Sequence, residues 1–160
     1  MLVMVKKVIS GGQTGADRGA LDAAIALKIS HGGWCPRGRK AEDGIIPNLY
    51  QLVETPSSRY EKRTYENVKQ SDGTLFVLLT DKIDRGTSLT LKYCEQLGKP
   101  FFKIVRDQIP VKEEELFKAF SSWVNENNIQ VLNVAGNRES KAPGLQKFTS
   151  EILTFLLVHA

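Results

Sequence analysis

Three glycines stand in the run Ser10-Gly11-Gly12-Gln13-Thr14-Gly15-Ala16-Asp17, between a β-branched stretch and an alanine-rich one. Glycine lets the backbone come close to an anion, and the free N–H groups that open a helix can hold it. Gln13 and Thr14 add side-chain donors. The chemistry this suits is the binding of a phosphate by Gly11, Gly12, Gln13, Thr14 and Gly15. The run is not a P-loop, because no Lys-Ser/Thr follows its last glycine. It is not the dinucleotide fingerprint either. Ser10 holds the first glycine position, and His31-Gly32-Gly33-Trp34-Cys35 stands where an acidic residue would bind a ribose hydroxyl. A tight strand-to-helix turn without a ligand would use the same glycines. If the loop does hold phosphate, Gly12→Val should abolish binding without unfolding the chain. Gly19 reads as a small residue where helix meets sheet.

Other polar segments offer complementary chemistry. Arg37, Arg39 and Lys40 are followed at once by Glu42 and Asp43. That mixture suits a ligand with phosphate at one end and hydrogen-bonding groups at the other; a solvated loop with internal ion pairs would look the same. Arg63 shares a helix face with Tyr60 and Asn67, and its spacing alone reads as a solvated surface helix. Gly86-Thr87-Ser88 opens a helix after an apolar strand and is a second candidate anion site. Asn133, Ala135-Gly136-Asn137-Arg138 and Ser140 make a third polar loop, for which a plain turn is the alternative. Cys35 has no His or Cys at ligand spacing and reads as a buried small residue, so no metal site is expected. His31 and His159 have no partner pattern.

The elements that must position these residues alternate. Strands are expected over 3–9, 50–54, 73–80, 101–105 and 129–134. Helices are expected over 17–28, with Asp17 as N-cap, and over 60–71, 86–97, 111–127 and 144–158. Residues 33–43 read as a loop. The alternation implies an α/β chain with a mostly parallel sheet and helices on both faces, a three-layer arrangement. Right-handed crossovers would bring the loops at 10–17, 80–87 and 134–143 to one edge, the carboxyl ends of the strands, where such sheets bind ligands.

The 160 residues fit one domain, 1–160, without linker or repeat. The chain carries 22 Lys and Arg against 18 Asp and Glu, a net charge of +4. That suits a small anionic ligand and is weak for nucleic acid. No secretory signal or membrane span is legible, which makes the cytoplasm the expected location.

Read together, SGGQTGADRGALDAA, HGGWCPRGRKAEDG, YEKRTYENVKQSDGTL, RGTSLT and NVAGNRES resemble the putative molybdenum carrier protein family, from about Lys7 to the last helix. The resemblance implies a Rossmann-like fold, a homo-oligomer, and binding of molybdenum cofactor, a phosphorylated pterin. It also implies kinship with DNA-processing protein A and the lonely-guy phosphoribohydrolases, which bind nucleotides or similar ligands. On the phosphoribohydrolase pattern Arg63 falls on the catalytic arginine and Gly86-Thr87 on the Gly-Thr pair. Thr90, however, stands at the glutamate position, and a threonine cannot supply the carboxylate that bond cleavage needs.

The expectation is therefore a carrier-type protein for a phosphorylated pterin or nucleotide-like ligand. The glycine loop binds phosphate; Arg63, Gly86 and Thr87 line a second wall. Arg37, Arg39 and Lys40 reach over the anion, while Asp17, Asp43 and Asn137 hydrogen-bond the ring or ribose. The alternatives are a nucleotide N-glycosidase, with Arg63 the one catalytic candidate and a carboxylate displaced to Glu42, Asp43 or Asp84, and a nucleic-acid-binding domain.

Overall fold

A computed structural model of the chain describes residues 3–109 and 112–158. In chain order the elements are β1 (Lys7–Ile9), α1 (Ala16–Leu27), β2 (Ser30–Gly32), β3 (Trp34–Cys35), β4 (Lys40–Ala41), β5 (Gly44–Ile45) and β6 (Val53–Glu54). They continue with α2 (Tyr60–Gln70), β7 (Gly73–Leu78), α3 (Arg85–Leu97), β8 (Phe101–Val105), α4 (Glu113–Glu126), β9 (Val131–Ala135) and α5 (Leu145–Val158). The central sheet has five strands in the order β2-β1-β9-β7-β8, all parallel. The last strand of the chain therefore lies in the middle, between β1 and β7.

Alternation along the strands sorts the helices into two layers. Leu75, Val77, Leu132 and Val134 point toward α1, α4 and α5 and build the main core with Ala20, Phe120, Leu145 and Leu153. Phe76 and Ala135 point the other way, onto Val68 of α2 and Cys94 of α3. This is the Rossmann-like three-layer α/β fold that the alternation implies. Every residue of β7 is buried, as a strand covered on both faces must be.

The structure corrects several expectations in detail. The first strand is only Lys7–Ile9. Helix α1 begins at Ala16 with Gly15 as N-cap, so Asp17 sits inside the first turn. Gly19 meets α5 rather than the sheet, since a Cβ there would lie 2.4 Å from the Gln146 carbonyl oxygen. The stretch 33–43 is not plain loop. β3 pairs with β6, and β4 with β5 forms a small antiparallel hairpin. Beneath them Cys35, Ala41, Ile46 and Tyr50 pack on Leu21 of α1 as a satellite core. Val111, the expected start of α4, and His159 lie outside the described residues.

Candidate functional site

The carboxyl ends of β1, β9 and β7 converge on a cleft of about 470 Å³, open mouth included. Its floor is the end of β9, Asn133 to Gly136. One wall is Gly11, Gln13 and Asp17, a second is Arg63, Thr64 and Asn67 on α2, and a third is Asp84, Gly86 and Thr90 at the start of α3. Arg138 completes the rim. The position is the usual one for a ligand site on an open α/β sheet.

Arg63 is the first surprise. Its side chain is only 11% exposed, because it lies across Gly11. A Cβ on Gly11 would sit 1.7 Å from Arg63 Nη1, so this glycine makes room for a guanidinium rather than for a ligand. Arg63 Nη1 reaches the Asp17 carboxylate at 3.2 Å. Burial pushes the Asp17 carboxyl above the ordinary carboxylate range; Arg63 and the Gln13 amide oppose that shift, and nearby Asp84 adds to it.

The glycine loop is closed on itself. Gln13 N–H donates to Asp17 Oδ2 at 3.2 Å, Thr14 N–H to Gln13 Oε1 at 3.1 Å, and Ala16 N–H to the Asn137 carbonyl at 3.4 Å. The amides of Gly11, Gly12, Gln13 and Thr14 thus already have acceptors within the loop, Asp17 foremost among them. Gly12 and Gly15 both have φ in the left-handed region, +74° and +83°. A Cβ on Gly12 would lie 2.5 Å from Leu52 Cδ1, and one on Gly15 2.3 Å from the Asn137 carbonyl oxygen. Both are needed by the fold. A Gly12→Val side chain would therefore be strained in the fold as well as in the loop.

Several other candidates are engaged within the chain. The Thr14 hydroxyl donates to Glu42 and accepts from Glu139 N–H at 3.1 Å. Asp43 forms a two-point pair with Arg18, at 2.5 and 2.8 Å, while Arg18 Nε donates to the Gly12 carbonyl. The hydrogen bonds from Arg18 hold the Asp43 carboxyl below its ordinary range. Arg39 donates to the carbonyls of Ile46, Pro47 and Tyr50, and so clamps its own loop rather than reaching over an anion. Asn137 accepts from Asp84 N–H at 2.8 Å and donates to the Lys82 carbonyl at 2.8 Å, tying the loops after β7 and β9 together. The Thr87 hydroxyl lies between Asp84 and Asn137. Arg37 is exposed and away from the cleft. Gly11, Gln13, Asp17, Arg63 and Gly86 are the expected residues that line it.

Among the described residues two polar atoms at the cleft have no partner. Gln13 Oε1 accepts from the amides of Thr14 and Glu42, which fixes the side-chain orientation. That leaves Gln13 Nε2 buried and unpaired, and Arg63 Nε is in the same condition. Buried donors without acceptors cost about 1–3 kcal/mol each. An acceptor ligand would remove that cost.

Arg138 and Asp84 line the cleft, although the sequence reading named Arg138 only within a polar loop and Asp84 only as a displaced carboxylate. Asp84 caps α3 through Thr87 N–H at 2.8 Å and also accepts from Arg138 N–H at 3.0 Å. Asp84 ahead of Arg85-Gly86-Thr87 was a legible cap signal.

A parallel sheet wound on both faces, with a polar cleft at the carboxyl ends of its strands, defines a protein of the Rossmann-like class. The chain belongs to the circularly permutated YpsA SLOG family, whose model matches residues 8–157. It is similar over 98% of its length, at 44% identity and a TM-score of 0.91, to the crystal structure of a putative molybdenum carrier protein from Syntrophus aciditrophicus SB, of which 98% is covered. No curated protein matches the chain. The resemblance drawn from the motifs is thus upheld.

Proposed function

We propose that this protein, residues 1–160 acting as one unit, is a carrier-type binding protein for a phosphorylated pterin or nucleotide-like molecule held in the cleft. The observation that carries the reading is the pair of buried donors, Gln13 Nε2 and Arg63 Nε, beside a rim that holds Arg138. Such a site wants a multi-oxygen anion. The anion seat moves from the glycine loop to the space between Arg63, Gln13 and Arg138. Gly86 would add a helix-terminal N–H there.

The printed name of the similar crystal structure supports a molybdenum-related ligand. The donor set fits the organic part of molybdenum cofactor, its phosphate and its polar ring. Among the described residues no three His, Cys, Asp or Glu gather as metal ligands, and Cys35 and Cys94 are buried. The chain would then hold pterin and phosphate and leave the metal to the sulfur atoms of the pterin. Among the described residues no helix is long and apolar enough to cross a membrane. No observation favours the N-glycosidase or nucleic-acid reading: the Thr90 hydroxyl lines the cleft but donates to its own helix at the Gly86 carbonyl.

The test is mass spectrometry of small molecules released from the purified protein. A phosphorylated pterin or nucleotide is expected, at near one per chain. Its absence, together with no binding of added phosphorylated pterins or nucleoside phosphates by calorimetry, would sink the reading. Light scattering on the same sample reads the homo-oligomer that the resemblance implies.

A further inference from the structure

Beyond Arg63 the cleft mouth has an unusual charge arrangement. Lys40 Nζ lies 4.8 Å from the centroid of the Tyr60 ring, the Arg63 guanidinium carbon 5.3 Å and that of Arg138 5.9 Å. The three come from three separate segments: the β4–β5 hairpin, α2, and the loop after β9. Like charges repel, so such a gathering costs free energy unless something negative lies among them.

The carboxylates nearby supply little of it. Asp17 meets Arg63 from the inner side and is buried with it. Glu42 approaches Arg138 only at 3.9 Å, while its oxygens already accept from the Thr14 hydroxyl and from Ser140 N–H and Oγ. Among the described residues Lys40 has no ion pair. The ring itself attracts cations by no more than about 0.5–1 kcal/mol each at exposed sites. It does, however, hold three cations within 6 Å of its centroid.

We infer that Lys40, Arg63 and Arg138 around Tyr60 form a diphosphate subsite, so that the ligand is a pterin or nucleoside carrying two linked phosphoryl groups. This rests on the binding reading above and sharpens it. The inner phosphoryl group faces Arg63 Nε and Gln13 Nε2. The outer one lies toward Lys40, which a single phosphate held by Arg63 leaves without a partner. Binding involves no bond breaking.

Calorimetry with inorganic phosphate, inorganic pyrophosphate, AMP and ADP tests it, on the native chain and on Lys40→Gln. Lys40 is exposed, so the variant should unfold at the same temperature as the native chain. Pyrophosphate and ADP are expected to bind about tenfold or more tightly than phosphate and AMP. Lys40→Gln should weaken pyrophosphate and ADP by about three- to tenfold and leave AMP unchanged. AMP and ADP binding equally, or Lys40→Gln weakening both by the same factor, overturns the diphosphate subsite and leaves the binding reading standing. No binding of any of the four, with no phosphorylated molecule released from the purified protein, overturns both.

Discussion

The sheet with its helices and the 33–54 segment are both folded, but different forces hold them. Around β7 and β9 the contacts are apolar: Phe120, Leu132, Leu145 and Leu153 are all at most 1% exposed. The 33–54 segment packs four buried residues on Leu21 of α1 and is otherwise fastened by charge-assisted hydrogen bonds. Asp43 grips Arg18, Glu42 bridges Thr14 and Ser140, and Arg39 clamps the carbonyls of residues 46, 47 and 50. The two regions are joined beside the cleft, where Glu42 approaches Arg138 on its rim. Its floor is therefore rigid by packing, and the hairpin at its mouth is held by contacts that respond to pH and salt.

That contrast can be broken at several strengths. Phe120→Ala, in the main core beside Phe102 and Trp123, should cost about 3–5 kcal/mol in urea unfolding. A much smaller loss would mean that the apolar region does not carry the stability. Gly12→Val places a β-branched residue at φ +74° against Leu52, at about 2–4 kcal/mol. It should lower the unfolding midpoint as well as any ligand affinity; a loss of binding alone would restore the phosphate-loop reading. Asp43→Asn leaves the Arg18 guanidinium, whose side chain is 7% exposed, without its charged partner. A loss of about 1–2 kcal/mol is expected, concentrated in faster amide exchange over residues 39–46.

The pH response sharpens the comparison further. Burial pushes the Glu42 carboxyl up, but the hydrogen bonds from Ser140 and Thr14, with the charge of Arg138, outweigh it and leave it lowered. Asp43 is lowered too. A carboxyl lowered in the fold contributes stability above its ordinary value, here 4.5 and 3.8, and that contribution is lost as pH falls through the folded value. Asp17 has the opposite sign. Raised in the fold, it favours the native state at low pH and loses that contribution as pH climbs past 3.8 through its folded value. Hydrogen exchange at pH 3 against pH 6 should therefore show the hairpin loosening in acid while the α1 loop does not. Loosening of both together would mean that the polar contacts are one unit. The smallest effect belongs to Lys40→Gln, which should leave stability within about 0.5 kcal/mol.

The alternation of periodic segments made the α/β architecture legible, because burial on both faces of a parallel sheet dictates sequence directly. The 33–54 segment was not legible as structure, since strands of two residues carry no period. At the site, residue type revealed donors but not what they bond. Asn137, Thr87, Thr14 and Arg39 have the polar groups of binding residues, and all are taken up by backbone or side chains distant in sequence. Arg63 went the other way. Its helical neighbours read as solvent-exposed, and only contact with Gly11, 52 positions earlier, reveals why it is buried.

The position of β9 has a consequence for how the protein is made. As a chain leaves the ribosome, β1 with β2 and β7 with β8 can each form, but both pairs keep a naked edge until residue 135 has emerged. The central strand is a keystone set last, and it brings the cleft floor and Arg138 with it. A nascent chain can therefore pair strands in two halves, but the cleft closes only once β9 has emerged, and a product shortened before it would carry two unpaired strand edges.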